Sequence, residues 1–223
     1  MKKKVPVLVA STLAMSMVLG ACSYQKDESQ AKAKGESGNN NAKQVINLTE
    51  TQEIPTMDTA LSADAVSSRV MNNTMEGLYR LDKGDKLVPG VAKSSEKSAD
   101  GKKYTFKLRE DAKWSNGDPV TAKDFVYAWQ RAINPDKAAL SAYIMFDVKN
   151  AQKINKKEMT PDQLGVKAID EYTLEVELEH PVPYFENLMI YPLFYPVNEK
   201  YAKEQGDKFG LEANTTLYNG PFV

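Results

Sequence analysis

The sequence predicts a globular fold that mixes α-helices and β-strands. Apolar and polar side chains alternate along EYTLEVELE (residues 171–179), the pattern of a strand in a sheet with one solvated face. Apolar residues recur at helical spacing after a Thr121–Asp124 capping pattern, which predicts an amphipathic helix. At 223 residues and 42% hydrophobic content, the chain is long enough to form a true core.

The first 21 residues predict an export signal. Met1 and three lysines precede an apolar stretch, residues 5–20, which is short for a membrane span but suits a secretory signal. The stretch ends in LGAC (residues 19–22), which resembles the lipobox of bacterial lipoproteins. That resemblance implies a diacylglyceryl group on the Cys22 thiol, cleavage before Cys22, and anchoring by two or more acyl chains. The alternative is an ordinary signal peptide followed by a chance cysteine.

A flexible tether is predicted after the lipidated cysteine, so that residues 22–43 carry no fold of their own. Residues 23–43 (SYQKDESQAKAKGESGNNNAK) contain one aromatic and no branched aliphatic side chain. Such a composition cannot bury enough apolar surface to offset the entropy of ordering.

The first half of the folded part predicts a strand, a helix and a hairpin. QVINLT (residues 44–49) is a β-rich run, and Asp64 is a candidate N-cap for a helix carrying Val66, Val70, Met71 and Met75. Residues 78–81 suggest a strand. Residues 93–109 suggest a hairpin that turns at Asp100–Gly101, with Tyr104, Phe106 and Leu108 facing the core.

The second half alternates helices and strands. Asn116–Pro119 predicts a turn, and the helix that follows carries Phe125, Val126, Trp129 and Ile133 until Asn134–Pro135 ends it. A second helix is predicted over residues 138–154, then the strand at 171–179. Residues 184–195 form an apolar and aromatic run, and Asn198 is a candidate cap for a helix through Lys203.

Composition excludes several classes of function. The net charge of -1 argues against nucleic-acid binding, which requires a basic surface. One cysteine and one histidine leave no disulfide framework or Cys/His zinc site, and the cysteine that a cysteine–histidine dyad would need is Cys22 of the predicted lipobox. His180 has no catalytic partner at motif spacing, and the sequence contains no G-x-S-x-G, P-loop or H-E-x-x-H pattern. We therefore expect neither an enzyme nor a bound metal or cofactor.

Four blocks carry a family resemblance: TMEGLY (74–79), KLVPGVA (86–92), YTFKLR (104–109) and AKWSNGDPVTAKDFVYAW (112–129). LGVKA (164–168), PVPYF (181–185) and NGPF (219–222) add to it. Together they resemble the family 5 extracellular solute-binding proteins, and within them the oligopeptide-binding lipoproteins of Gram-positive peptide ABC importers.

The resemblance implies a periplasmic-binding-protein type II-like fold with three lobes. By this mapping, residues 44–75 and 198–223 form part of lobe I, and residues 76–197 form an inserted lobe II. Lobe III is missing from the sequence, whose relatives are usually more than twice as long. Together with the abrupt end at LYNGPFV (217–223), this leads us to expect an N-terminal fragment or a truncated product.

The resemblance also implies a peptide site formed mainly by backbone. The lobe I contact segment of the family follows Met57–Asp58 here, so Ala63, Asp64 and Ala65 are the candidate contacts. The alternative is that this stretch merely leads into a helix capped by Asp64. Tyr143 is the lobe II candidate, with core packing as its alternative. We expect Trp114 and Trp129 to be core residues, and Glu175, Glu177 and Glu179 to form a solvated strand face rather than a cation site.

Taken together, we expect a monomeric lipoprotein on the outer face of a Gram-positive cell membrane. It would capture oligopeptides and deliver them to ABC permease subunits. Two alternatives within the family are a receptor for a signalling peptide and a receptor for nickel or another small solute. An alternative of another class is a nonbinding, truncated surface lipoprotein.

Overall fold

Helices pack against one face of a four-stranded antiparallel sheet in the computed structural model, which describes residues 45–222. Five α-helices and six strands are present in the described residues: α1 Ala65–Thr74, β1 Tyr79–Leu81, β2 Leu87–Pro89, β3 Ala92–Lys97, β4 Lys103–Leu108, α2 Ala122–Ile133, α3 Ala151–Asn155, β5 Val166–Asp170, β6 Thr173–Glu177, α4 Phe185–Leu188 and α5 Glu199–Gln205. Short 3-10 turns connect several of them. The predicted mixture of α and β structure is confirmed.

The main sheet has the strand order β3-β4-β6-β5, with every neighbouring pair antiparallel. Tyr104 lies opposite Val176, and Phe106 lies opposite Leu174. These four side chains are buried, as the alternating pattern predicts. β1 and β2 form a separate two-stranded ribbon.

The other face of the main sheet is solvated and carries charge pairs. Lys103 Nζ lies 3.3 Å from Glu175 Oε1, and Lys149 Nζ lies 2.8 Å from Glu177 Oε1. The third glutamate, Glu179, accepts from the Asn150 backbone N–H at 2.7 Å. The predicted solvated face is therefore confirmed, with its glutamates engaged by lysines and backbone.

α2 is the central helix of the core and packs across β5 and β6. Thr121 and Asp124 form the predicted capping box. Trp129 is fully buried and donates from Nε1 to the Phe194 carbonyl oxygen at 2.9 Å. Trp114 is also buried, with its Nε1 3.4 Å from Asp124 Oδ2. Both tryptophans are core residues, as expected.

The long helix predicted over residues 138–154 is wrong. A 3-10 turn occupies Ala142–Met145, and α3 begins only at Ala151. Between them, Lys149 N–H donates to the Glu177 carbonyl at 2.9 Å, and Glu179 N–H donates to the Asp147 carbonyl at 3.0 Å. Residues 147–149 run beside the end of β6 and hydrogen-bond to it. These contacts prevent the helix that the spacing of the apolar residues predicts.

Three further differences concern strands. Residues 45–49 do not form the predicted strand, and Val45, Ile46 and Leu48 are exposed. The β3–β4 turn is longer than two residues, because Ser98 N–H donates to the Lys103 carbonyl around Asp100–Gly101. The sequence patterns do not predict β5 as a strand.

Buried apolar side chains fall into two clusters. The main core lies between the sheet and α2 and includes Phe106, Phe125 and Trp129. The second cluster joins α1 to the chain that follows α4, through Met57, Met71, Met75 and Tyr195. None of the helices within residues 45–222 has the length and hydropathy of a membrane span.

Candidate functional site

The candidate site centres on residues 57–64, here called the pre-helix segment because it leads directly into α1. Its anchor is Asp58, which is 1% exposed. The Asp58 carboxylate accepts hydrogen bonds from both terminal nitrogens of Arg131 on α2, and Nη1 lies 2.5 Å from Oδ1. Burial by itself lowers the pKa of Arg131, but the hydrogen bonds and charge of Asp58 outweigh it and raise that pKa above its ordinary value. The guanidinium of Arg131 therefore stays charged in this buried pair.

Asp58 also shapes the turn that follows it. Oδ1 accepts from the Ala60 N–H at 3.0 Å, and the Asp58 carbonyl accepts from Leu61 and Ser62 at 3.0 and 2.9 Å. A single residue thus binds three consecutive amides. The backbone up to Ser62 is fixed relative to α2 through the Arg131 fork.

Gly210 holds the segment from the opposite side. Its carbonyl accepts from the Met57 N–H at 2.6 Å, and its φ of +77° lies in the left-handed region. A Cβ at this position would lie 2.9 Å from Asp58 Cα. The backbone at Gly210 is therefore in direct contact with the backbone at Met57 and Asp58. Only glycine allows the two segments to lie this close.

The candidate contact residues lie at the exposed end of this support. Ala63 and Ala65 are exposed, and neither the N–H nor the C=O of Ala63 has a hydrogen-bond partner among residues 45–222. Ser62 Oγ is buried and also lacks a partner in that range. The backbone at Ala63 is therefore free to pair with an added chain.

Asp64 acts as the N-cap of α1, as the sequence predicts. Its Oδ1 accepts from the Ser67 N–H at 2.8 Å. Burial tends to raise the pKa of Asp64, but the hydrogen bonds from Ser67 and Val66 outweigh it, and the pKa falls below its ordinary value. The Asp64 carboxylate therefore stabilises the first turn of α1 as its N-cap.

Tyr143 and Cys22 fall outside this arrangement. Tyr143 lies on the Ala142–Met145 turn with 66% of its surface exposed, so core packing is excluded for it. No hydrogen bond joins its side chain to the pre-helix segment within the described chain. Cys22 lies outside the described residues.

A cavity of ≈ 750 Å³ lies at the opposite end of α1. Its walls include Asn72, Glu76, Arg80, Arg109, Tyr195 and Asn219. Both arginines pair with Glu76, Arg109 at 2.7 Å and Arg80 at 3.5 Å. Burial raises the pKa of Tyr195, whose hydroxyl donates to Asn72 Oδ1 at 2.8 Å. Glu76 therefore pairs with both arginines of the cavity wall, and the buried Nε of Arg109 has no hydrogen-bond partner within residues 45–222.

The crossover between α1 and β1 is held by Asn219 and Gly220. The Asn219 side chain accepts from the Glu76 N–H at 3.0 Å and donates to the Glu76 carbonyl at 2.9 Å. Gly220 N–H donates to the Thr74 carbonyl at 3.0 Å. The last described residues are thus bound to the segment between α1 and β1.

The described residues hold no grouping typical of catalysis or metal binding. His180 is exposed and its Nε2 lies 3.2 Å from Asp147 Oδ1. Among residues 45–222, no three His, Cys, Asp or Glu side chains converge to hold a metal ion.

Known proteins are similar to this chain in sequence and in fold. Residues 86–223 match the bacterial extracellular solute-binding proteins, family 5 Middle. The chain belongs to this family. Among family 5 relatives, the oligopeptide-binding protein OppA of Bacillus subtilis (strain 168) is 38% identical over 223 residues, which are 100% of this chain and 40% of that protein.

Solved family 5 structures are also similar. The substrate-binding domain of an oligopeptide ABC transporter from Bacillus anthracis is 65% identical, with a TM-score of 0.80 over 82% of this chain and 35% of that one. Listeria monocytogenes OppA bound to peptide is 46% identical, with a TM-score of 0.77 over 79% of this chain and 35% of that one. The predicted periplasmic-binding-protein type II-like fold is confirmed, and the chain spans well under half the length of these proteins.

Sequence patterns do not reveal three of the supporting residues. Arg131, Gly210 and Asn219 each bind a distant segment, and no local pattern marks such partners. The sequence does carry one indication for Arg131. It lies next to the apolar stripe of α2, where a charged side chain must be either exposed or paired. Its partner cannot be assigned without the fold.

Proposed function

We propose that this family 5 chain functions in the capture of extracellular oligopeptides for an ABC importer. The observation that carries the proposal is its 65% identity to the substrate-binding domain of the Bacillus anthracis oligopeptide transporter. Listeria monocytogenes OppA, 46% identical, has been solved with a peptide bound. Binding, rather than catalysis, is the activity we assign.

The proposed contact is the backbone around Ala63 and Ala65. An extended peptide can bind by pairing its main chain with free backbone groups, as an added strand does. Ala63 has such groups, and the methyl side chains of both alanines leave room for the ligand. Main-chain pairing does not depend on peptide sequence, which suits an importer that accepts many peptides.

The lobe assignment is part of the proposal. Residues 44–75 and 198–223 are assigned to lobe I, and residues 76–197 to lobe II. The buried cluster of Met57, Met71 and Met75 lies within the assigned lobe I, and Tyr195 of the assigned lobe II packs against it. The Asn219–Glu76 hydrogen bonds then lie where the chain passes from lobe I to lobe II.

Membrane attachment is proposed through Cys22. The LGAC sequence places the only cysteine where lipoprotein processing requires it. A lipid anchor followed by the tether of residues 22–43 would hold a monomeric binding domain outside the cell, beside its permease subunits.

Calorimetric titration of the purified chain tests capture. We expect saturable heat on addition of mixed tripeptides to pentapeptides, and none with the same amino acids in free form. Heat from neither mixture, for a chain whose thermal unfolding is cooperative, would favour the nonbinding surface lipoprotein instead.

A further inference from the structure

The buried Asp58–Arg131 pair lies directly behind the proposed peptide contact. Arg131 is on α2, in the assigned lobe II, whereas Asp58 is in the assigned lobe I. Both side chains are nearly inaccessible, with Asp58 at 2% and Arg131 at 11% exposed. Arg131 also lies over the Phe209 ring, at 5.3 Å from its centroid. The guanidinium is therefore held by two hydrogen bonds to one carboxylate and by a cation–π contact.

The geometry of the pre-helix segment depends on this fork. Oδ1 of Asp58 accepts both Arg131 Nη1 and the Ala60 N–H. Rotation of the carboxylate would break both bonds together. The Asp58 carbonyl binds the Leu61 and Ser62 amides, so a change at Asp58 affects all three hydrogen-bonded amides of residues 60–62. Ala63 follows with no hydrogen bond of its own in the described chain.

A purely stabilising role would not require this arrangement. A buried ion pair adds little stability compared with apolar residues of similar size, because both charges lose their hydration. Its bidentate geometry instead fixes one relative orientation of the two groups. Here the oriented group is the turn that presents the Ala63 backbone.

We propose that Arg131 is a positioning residue for peptide binding, acting through Asp58 to hold residues 60–63 in the orientation that pairs with a peptide. The proposal rests on the proposed function. In this proposal Arg131 acts without contacting the peptide itself, through the three hydrogen-bonded amides of Ala60, Leu61 and Ser62. Without the fork, the segment would lose this fixed geometry before a peptide arrives, and binding would have to restore it.

Arg131→Lys is the sharpest variant, because it keeps the charge beside Asp58 and removes the fork. The matched control is Arg109→Lys, which makes the same change at the Glu76 ion pair at the other end of α1. Amide hydrogen exchange, thermal unfolding and peptide titration are measured on the full chain and both variants.

We expect Arg131→Lys to raise exchange of the three amides at least about tenfold while β4 and β6 amides stay unchanged, since a charge-assisted bond is worth that much. Peptide affinity should fall about tenfold for the same reason, and Arg109→Lys should change neither quantity. A uniform rise across all amides, or a rise at residues 60–62 with unchanged affinity, would overturn the positioning role.

The two proposals fail differently. If the unmodified chain binds no peptide, the proposed function falls, and the exchange data alone decide whether the pair orders the segment. If the unmodified chain binds and Arg131→Lys binds equally well, the positioning role falls and the proposed function stands.

Discussion

Individual residues hold the candidate site through contacts that tolerate little change. At Gly210 the backbone has a positive φ and runs against Asp58, so conformation and space both require glycine. At Asp124 a carboxylate is buried inside the capping box of α2, where its hydrogen bonds serve the fold. Each residue leads to a separate prediction.

Gly210→Ala should destabilise the chain by at least about 2 kcal/mol, because it adds a clash with backbone to the strain of a positive φ. Gly117→Ala is the matched control, since Gly117 has a φ of +92° but no atom within 4 Å of where the added methyl carbon would lie. The control should lose only about 1 kcal/mol. Urea unfolding measures both, and equal losses would show that Gly210 is not a point of close approach.

Asp124 should give the chain a measurable pH dependence. Burial raises the pKa of its carboxyl, and the hydrogen bonds from Thr121 and Trp114 offset this only in part. A raised folded pKa means that the stabilising contribution is complete below the unfolded value of about 3.9 and is lost as pH rises through the folded value. The stability of the unmodified chain relative to Asp124→Asn should therefore fall as pH rises through that window.

The measurement is the difference in unfolding free energy between the two proteins at a series of pH values. Other carboxyl groups titrate in both proteins and cancel in the difference. A difference that grows in favour of Asp124 with rising pH would mean that its folded pKa is lowered, contrary to the buried environment.

Among helices and strands, sequence patterns predict those features that depend on neighbouring residues in the chain. The α1 cap at Asp64, the α2 capping box and the inward face of β4 all follow from the sequence, because each depends on residues within one turn or one strand. The failed helix at 138–154 and the missed β5 depend on pairing with β6. Likewise, the family resemblance led us to propose residues 63–65 as the contact segment, but Arg131, which binds Asp58 just before it, lies far along the chain.

The packing of α2 gives a test at this scale. Trp129→Phe removes the hydrogen bond to the Phe194 carbonyl and leaves a cavity in a fully buried site. It should cost about 2–3 kcal/mol of unfolding free energy. Tyr143→Ala serves as the control, because an exposed side chain should change stability by less than about 0.5 kcal/mol. A large loss for Tyr143→Ala would mean that the turn at 142–145 packs more tightly than the structure indicates.

At the scale of the whole molecule, the proposal combines a lipid anchor, a tether and a binding domain. Cys22→Ser should release the protein from membranes, because no thiol remains to carry diacylglycerol. Ser23→Ala should leave it attached. Fractionation of cells expressing each form measures this, and membrane retention of the Cys22→Ser form would contradict the lipobox interpretation.

Nuclear magnetic resonance titration tests whether the backbone beside α1 captures peptide. A tripeptide is added to the isotopically labelled chain while the backbone amides are followed. We expect saturable shifts at Ala63 and Ala65, with the β4 and β6 amides unchanged. Saturable binding that leaves Ala63 and Ala65 unshifted would contradict it.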